Sequence, residues 1–318
     1  MSDLPRFVTI QEEGPREGFQ IEKGPIATAD KIRLIEALAE TGLKKIDCVS
    51  WVNPARVPGM ADAEQVARGI RKKDGVAYTG LWLNPAGFER ALTMPLDLIG
   101  SLMVAGSETF GIKNTGKTTE QALRDQEMTL RLYKQHNVPV RWAVVFTAFG
   151  CNYEGEMPIA TVLSRFERLI DIAQAQDVKL EGLYLADTVG WANPLDIQRR
   201  IGAVRERWPE MRIGLHLHDT RGTGLPNALA ALQMGVDQFD SSCAGLGGCP
   251  FAAHKGAAGN ICTEDLVFMC HEMGIETGID LDRLIECALL AEEIVGHSLP
   301  GKVMKGGSLA RFKNKATV

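Results

Sequence analysis

The residues of this chain that can do chemistry gather in three short stretches. The first is His216-Leu217-His218-Asp219. Side chains alternate along a strand, so two histidines separated by one residue point to the same side. Two imidazoles on one face make a natural divalent-metal pair. The plain alternative is two histidines satisfied by neighbouring backbone. The second stretch is Gly14-Pro15-Arg16-Glu17-Gly18-Phe19-Gln20. Arginine offers a permanent cation and fork donors for a developing oxyanion, and glutamate offers a hard oxygen ligand. The flanking glycines read as a flexible turn that presents both; taken alone, the pair also reads as a solvent-facing salt bridge. The third stretch runs from Ala244-Gly245-Leu246-Gly247-Gly248-Cys249-Pro250 to Asn260. A mobile loop that closes over substrate has this glycine-rich composition, as does an ordinary connection. It lacks the G-K-[ST] ending of a P-loop.

These stretches need elements to hold them. Short apolar runs alternate with longer patterns of 3–4 apolar spacing. Strands are expected at 7–13, 45–50, 76–83, 98–104, 138–146, 180–186, 212–218 and 238–242. Most are nearly continuously apolar, as strands buried on both faces should be. Helices are expected at 28–40, with Thr28 as N-cap, and at 61–71, 85–92, 119–135, 159–175, 194–205, 224–234 and 263–273. Eight strand–helix units in alternation imply a parallel sheet closed into a (β/α)8 TIM barrel. No G-x-G-x-x-G follows the first strand, which argues against an open dinucleotide-binding sheet. The barrel is assigned to 1–275. A helix at 281–295 and a tail with Lys302, Lys305, Arg311, Lys313 and Lys315 form a C-terminal extension, 276–318, packed on the barrel, with its basic end solvated. In such a barrel the working residues sit at the C-terminal ends of strands, where all three stretches fall.

Composition narrows the function. The 318 residues are 45% apolar and 24% charged, which is ordinary for a globular protein and excludes a disordered chain. No apolar run approaches the roughly 18 residues of a membrane helix. The start carries an acid at Asp3 and no basic region of a secretion signal. A net charge of −5 without a concentrated basic face argues against nucleic acid, and any anion site must be local. The seven cysteines, with no close C-x-x-C pair, read as reduced thiols in a cytosol-like compartment.

The chain resembles the 3-hydroxy-3-methylglutaryl-CoA lyases, within the metal-dependent barrel superfamily that also holds isopropylmalate and homocitrate synthases. The resemblance runs from about residue 7 to 295. AGLGGCP followed by GNICTEDLV is its most specific part; GPREGFQ, VPGMAD, CNYEG, ADTVG, HLHDT and NALAALQMGVDQFDSS also match. HxH alone would fit the whole superfamily, whereas the glycine–cysteine loop separates the lyases from the synthases. The resemblance implies retro-Claisen cleavage of a 3-hydroxy-3-methylglutaryl-CoA-like thioester to acetyl-CoA and a keto acid. It implies Mg²⁺ or Mn²⁺, no flavin or nicotinamide, an acyl-CoA substrate, and a cytoplasmic homodimer that meets neither membrane nor nucleic acid. It also implies roles: Arg16 polarises the thioester carbonyl; Glu17, His216, His218 and Asn260 hold the metal; Cys249 transfers a proton. Asp187 stands near the reacting hydroxyl as the candidate base, and Asp47 joins the catalytic set. Gln20, Ser50 and Lys255 bind substrate, Lys255 either on CoA phosphate or only solvated.

The chain also departs from the pattern. Glu17 stands where aspartate is usual, and Asp47 where glutamate is usual. Consecutive barrel strands are adjacent, so this reads as a reciprocal length exchange that keeps one ion supplied with oxygen. The loop before Asn260 is longer than in the lyases and includes His254 and Lys255. Trp51 replaces a frequent phenylalanine, and Trp82 and Trp142 lie in or near strands that reach the pocket. These changes leave the acyl group open to a different 3-hydroxy-3-substituted acyl-CoA. Two rivals stand beside the lyase. A Claisen-type condensing synthase is disfavoured by Gly247-Gly248-Cys249. A non-catalytic barrel is disfavoured because Arg16, Asp187, His216, His218, Cys249 and Asn260 are all kept.

Overall fold

The computed structural model describes residues 4–247 and 259–313. Eight parallel strands form its centre: β1 (Thr9–Glu12), β2 (Lys45–Ser50), β3 (Ala77–Leu81), β4 (Gly100–Ala105), β5 (Val140–Phe146), β6 (Gly182–Ala186), β7 (Arg212–His216) and β8 (Gln238–Ser241). Their hydrogen-bonded order is β3-β2-β1-β8-β7-β6-β5-β4. The first and last strands are neighbours, with Thr9 opposite Gln238 and Glu12 opposite Ser241, so the sheet curls round into a TIM barrel. At the remaining seam Asp97, just before β4, reaches β3. Its amide donates to the Tyr78 carbonyl at 2.7 Å and its carboxylate accepts from the Tyr78 amide at 2.8 Å.

The helices cover the outside: α1 (Thr28–Ala39), α2 (Ala63–Gly69), α3 (Pro85–Leu92), α4 (Glu108–Thr115), α5 (Thr119–Gln135), α6 (Ile159–Gln174), α7 (Pro194–Arg207), α8 (Gly224–Gln233), α9 (Thr263–Glu272) and α10 (Leu281–Val295). Apolar residues at helical spacing, such as Leu34, Ile35 and Leu38 of α1 or Ile197, Ile201 and Val204 of α7, are buried against the strands. Each such side chain contributes about 1.5–3 kcal/mol by leaving water.

Three expectations change. Thr28 is not the N-cap of α1; Ala27 takes that place, and the Thr28 hydroxyl donates to Asp62 Oδ2 at 2.7 Å. Asp62 is held there by Lys31 Nζ at 2.5 Å. Helix α4 was not foreseen, because its apolar pattern is weak. Its caps define it: the Ser107 hydroxyl accepts from the Phe110 amide at 3.1 Å, and Gly116 ends it at φ 76°. The basic end is not simply solvated. The Asp265 carboxylate accepts from the Lys302 and Val303 amides at 3.1 and 2.7 Å, and Lys313 pairs with Glu272 at 2.8 Å. Helix α10 buries Leu284, Cys287, Ala288 and Ala291 and packs on α1 and α9.

The barrel interior is not a packed core. Barrels of this kind are normally filled by layers of inward side chains. Here a cavity of ≈ 240 Å³ enters the barrel from the C-terminal rim.

Candidate active site

Strand β1 runs into a π-helical turn, Gly14–Gly18, with Pro15 in its first positions. The glycines of this turn serve close packing rather than flexibility. A Cβ on Gly14 would sit 2.6 Å from Glu12 Oε1, and one on Gly18 would sit 2.6 Å from Leu246 Cβ. Glu12 anchors the turn. Its carboxylate accepts from the Gly14 amide at 2.8 Å, the Cys243 amide at 2.8 Å and the Thr263 hydroxyl at 2.6 Å. One buried side chain therefore ties the Arg16–Glu17 turn to the segment after β8 and to α9. Burial pushes its carboxyl up to about 7 against those hydrogen bonds.

Glu17, His216 and His218 bring one ligand atom each to a common point. The two Nε2 atoms lie 3.0 Å apart, and Glu17 Oε1 is 3.2 Å from His218 Nε2. Ligand atoms about 2.1 Å from a shared ion and at right angles would also be about 3.0 Å apart. Asn260 is the fourth expected ligand, and its backbone bridges His218. Residues 259–261 run beside 217–219, the Asp219 amide donating to the Gly259 carbonyl at 2.7 Å and the Ile261 amide to the Leu217 carbonyl at 3.1 Å. Asn260 is fully buried, and among the described residues its Oδ1 has no hydrogen-bond partner. A buried amide oxygen without a partner is costly unless something outside the chain takes it. Gly247, at φ 109°, leaves the space: a Cβ there would lie 2.7 Å from Asn260 Nδ2 and 3.3 Å from Glu17 Cγ. Two imidazoles, a carboxylate and an amide oxygen fit a divalent cation, and without thiolate they do not describe a structural zinc site.

These groups set one another's charge. Burial would raise the Glu17 carboxyl, but the charges of His216 and Arg16 outweigh it and hold the group well below the usual range. Burial would lower the His216 imidazole; Glu17 and the bond to Asp240 win, and it is lifted to about 9. Asp240 Oδ2 lies 3.2 Å from His216 Nδ1, and its Oδ1 accepts from the Tyr184 hydroxyl at 2.6 Å.

Arg16 is clamped by three carboxylates. Its Nε donates to Asp47 Oδ2 at 2.9 Å, its Nη1 to Glu17 Oε2 at 3.0 Å, and its Nη2 to Glu13. Asp47 thus lies on the guanidinium and is not among the clustered metal-ligand residues. Its Oδ1 accepts from the Thr79 hydroxyl at 3.2 Å. Burial and the neighbouring Glu13 charge push its carboxyl up to about 7 in spite of Arg16. The β2–β3 register shifts between Asp47 and Val49, an irregularity of the kind found beside active sites.

The other expected residues divide. Gln20 lines the cavity, and its buried Oε1 has no partner among the described residues. Ser50 is buried and is not among the cavity-lining residues. Asp187 does not line the cavity either. Its Oδ1 accepts from the Trp191 amide at 2.7 Å and its Oδ2 from the Ala192 amide at 3.1 Å, so it orders the segment after β6. Cys249, His254 and Lys255 lie outside the described residues. The six described cysteines are free and buried.

Glu13, Asp240 and Tyr184 were missed by sequence reasoning. The signal was present in strand alternation and pairing. Glu13 is two residues beyond Gln11, and both line the cavity; Asp240 is the direct register partner of His216.

A parallel TIM barrel with a divalent-cation site and a clamped arginine at its C-terminal rim defines a class of metal-dependent barrel enzymes. The chain matches the HMGL-like family over residues 8–290 and belongs to it. It is 40% identical to hydroxymethylglutaryl-CoA lyase YngG of Bacillus subtilis over 298 residues, 94% of this chain and 96% of that one. It is 38% identical to the human mitochondrial hydroxymethylglutaryl-CoA lyase, covering 95% of this chain and 90% of that one. Among solved structures, the B. subtilis HMG-CoA lyase superposes with a TM-score of 0.88 at 39% identity, covering 95% of this chain and 98% of that one. An Acinetobacter baumannii HMG-CoA lyase in complex with coenzyme A and 3-methylmalate gives 0.87 at 37% identity, covering 96% of each chain.

Proposed function

We propose that this protein is a carbon–carbon lyase that cleaves a 3-hydroxy-3-methylglutaryl-CoA-like thioester to acetyl-CoA and a keto acid. The observation that carries the reading is the convergence of Glu17, His216 and His218 beside Arg16, with Asn260 bridging His218 through its backbone and its buried Oδ1 without a partner among the described residues. A divalent cation held by those four residues, Mg²⁺ or Mn²⁺, would act as a Lewis acid and lower the pKa of the substrate hydroxyl.

The remaining work falls to side chains. Asp47 takes the hydroxyl proton at Oδ1, the oxygen that Arg16 does not hold. Its carboxyl, lifted to about 7, exchanges a proton near neutral pH. As the C2–C3 bond breaks, its electron pair moves onto the thioester, and the carbonyl oxygen becomes an enolate oxygen. A guanidinium has five N–H donors; three nitrogens each spend one on Asp47, Glu17 and Glu13, and two donors remain for that oxygen. The three carboxylates fix the guanidinium plane before the charge develops. Cys249 gives the enolate carbon its proton, completing acetyl-CoA, and the proton on Asp47 returns to the thiolate through solvent. Gln20 and Lys255 hold polar groups of the substrate, and Ser50 supports the wall behind them. Asp187 acts by positioning: it orders the segment carrying Thr188, which lines the cavity.

The same reading makes the protein a cytoplasmic homodimer acting on acyl-CoA. Free buried thiols are in keeping with a reducing compartment. No helix among the described residues is long and apolar enough to cross a membrane. The test is release of acetyl-CoA from 3-hydroxy-3-methylglutaryl-CoA with Mg²⁺ or Mn²⁺ present. Metal-dependent release is expected; no release from any of several hydroxyacyl-CoAs would favour a barrel kept for binding.

A further inference from the structure

The two sides of the barrel cavity differ in chemistry. Strands β7, β8, β1 and β2 present His216, Asp240, Gln238, Glu13, Lys45 and Asp47. Strands β3 to β6 and the residues flanking them present mostly apolar side chains, Trp82, Met103, Trp142, Val144, Phe146 and Tyr184, with Thr79 and Ser101 among them. Three strand spacings separate β3 from β6, so the apolar side spans roughly 14 Å of the barrel wall.

This apolar side is built to stay open. Trp142 on β5 is the register partner of Gly182 on β6, and Tyr184 on β6 is the register partner of Gly214 on β7. A Cβ on Gly182 would lie 2.3 Å from the Trp142 ring, and a Cβ on Gly214 would lie 2.2 Å from the Tyr184 ring. Each ring therefore lies back on the next strand, in the place of a missing side chain. The two rings meet edge to face with centroids 5.1 Å apart. A second space lies beside the cavity. It measures ≈ 70 Å³, sits between β4, α4 and α5, and shares Leu83, Met103, Asn114 and Phe146 with the first.

An arm of a tertiary carbon that points away from the metal ligands on the polar side meets this wall. A methyl group would leave the wall and the side space unfilled, and unfilled apolar space forfeits contact energy. We propose that the enzyme is built for a 3-hydroxyacyl-CoA whose C3 carries a bulky apolar arm, branched alkyl or aryl, in place of methyl. The proposal rests on the lyase reading and names the substrate class for that site.

The experiment compares kcat/KM for acetyl-CoA release from 3-hydroxy-3-R-glutaryl-CoA thioesters with R as methyl, isobutyl or phenyl, in the presence of Mn²⁺. The wild-type protein is expected to favour isobutyl or phenyl over methyl by about tenfold or more, as one or two buried methylenes confer. Equal or better use of the methyl substrate would overturn the proposal and leave the lyase reading standing. Cleavage of none of the three would overturn both. Met103→Trp, which adds bulk at a residue that lines both spaces, should lower the bulky-to-methyl ratio about tenfold. An unchanged ratio would contradict this placement of the arm.

Discussion

Asp240 Oδ2 lies 3.2 Å from His216 Nδ1, leaving His216 Nε2 to face His218 Nε2 at 3.0 Å. Asp240 is itself held by the Tyr184 hydroxyl at 2.6 Å. A carboxylate on the far nitrogen fixes the tautomer and the ring plane of a metal-ligating histidine. Asp240→Asn keeps the shape and removes the charge. It should weaken Mn²⁺ binding about 10- to 100-fold in a calorimetric titration, with Tyr184→Phe losing less. Unaltered affinity in Asp240→Asn would show that His216 needs no such partner.

The expected exchange between Glu17 and Asp47 takes a different physical form. Both carboxylates grip one guanidinium, at 3.0 and 2.9 Å, but only Glu17 joins the histidines. Their coupling therefore runs through the position of Arg16. Glu17→Asp should lower kcat/KM by roughly tenfold, and adding Asp47→Glu should recover part of the loss. A coupling energy of at least about 0.5 kcal/mol is predicted for the double-mutant cycle. Strictly additive losses would refute a shared guanidinium.

Arg16 carries the enolate charge in this account. Arg16→Gln should lower kcat about 10²- to 10³-fold, the usual loss on removing an oxyanion donor, while Mn²⁺ still binds. A variant that loses metal and activity together would assign Arg16 to holding the site and not to the reaction.

Much of this arrangement could be read from the amino acids. Short, mostly apolar runs located all eight strands, and β2 came out at its full length, Lys45–Ser50. HxH and GPREG pointed to the rim. What stayed hidden depends on neighbours in space. Glu13 and Asp240 look like ordinary acids until β1 and β8 are laid side by side in register. The glycines of GPREG suggested freedom, whereas Leu246, distant in sequence, explains Gly18. The acid in ADTVG suggested a base facing substrate, yet the backbone amides of Trp191 and Ala192 claim both its oxygens. Helix α4 escaped because its caps, not its apolar spacing, define it.

Gly247 sets the packing between Asn260 and Glu17. At φ 109° it occupies a region that side chains avoid, and a Cβ would press on Asn260 Nδ2 at 2.7 Å. Gly247→Ala should cost about 1–3 kcal/mol of stability and weaken Mn²⁺ binding by displacing Asn260. Thermal unfolding and metal titration check the two effects separately; wild-type behaviour in both would mean that the amide does not depend on this contact.

Glu264 gives stability an unusual pH dependence. Burial raises its carboxyl to about 8 despite the bond from the Ala244 amide, and its Oε1 has no partner among the described residues. A carboxyl raised in the folded state favours folding most below its ordinary value of 4.5. That contribution is lost as pH rises from there through about 8. The melting temperature should therefore fall between pH 5 and 8 more steeply in the wild type than in Glu264→Gln. Parallel curves would show that Glu264 titrates normally.

One ion position decides the mechanism, and anomalous diffraction from Mn²⁺-soaked crystals locates it directly. A single strong peak is expected about 2.1 Å from Glu17, His216 Nε2, His218 Nε2 and Asn260 Oδ1, next to the Arg16 guanidinium. A peak elsewhere, or none at saturating Mn²⁺, would contradict the mechanism.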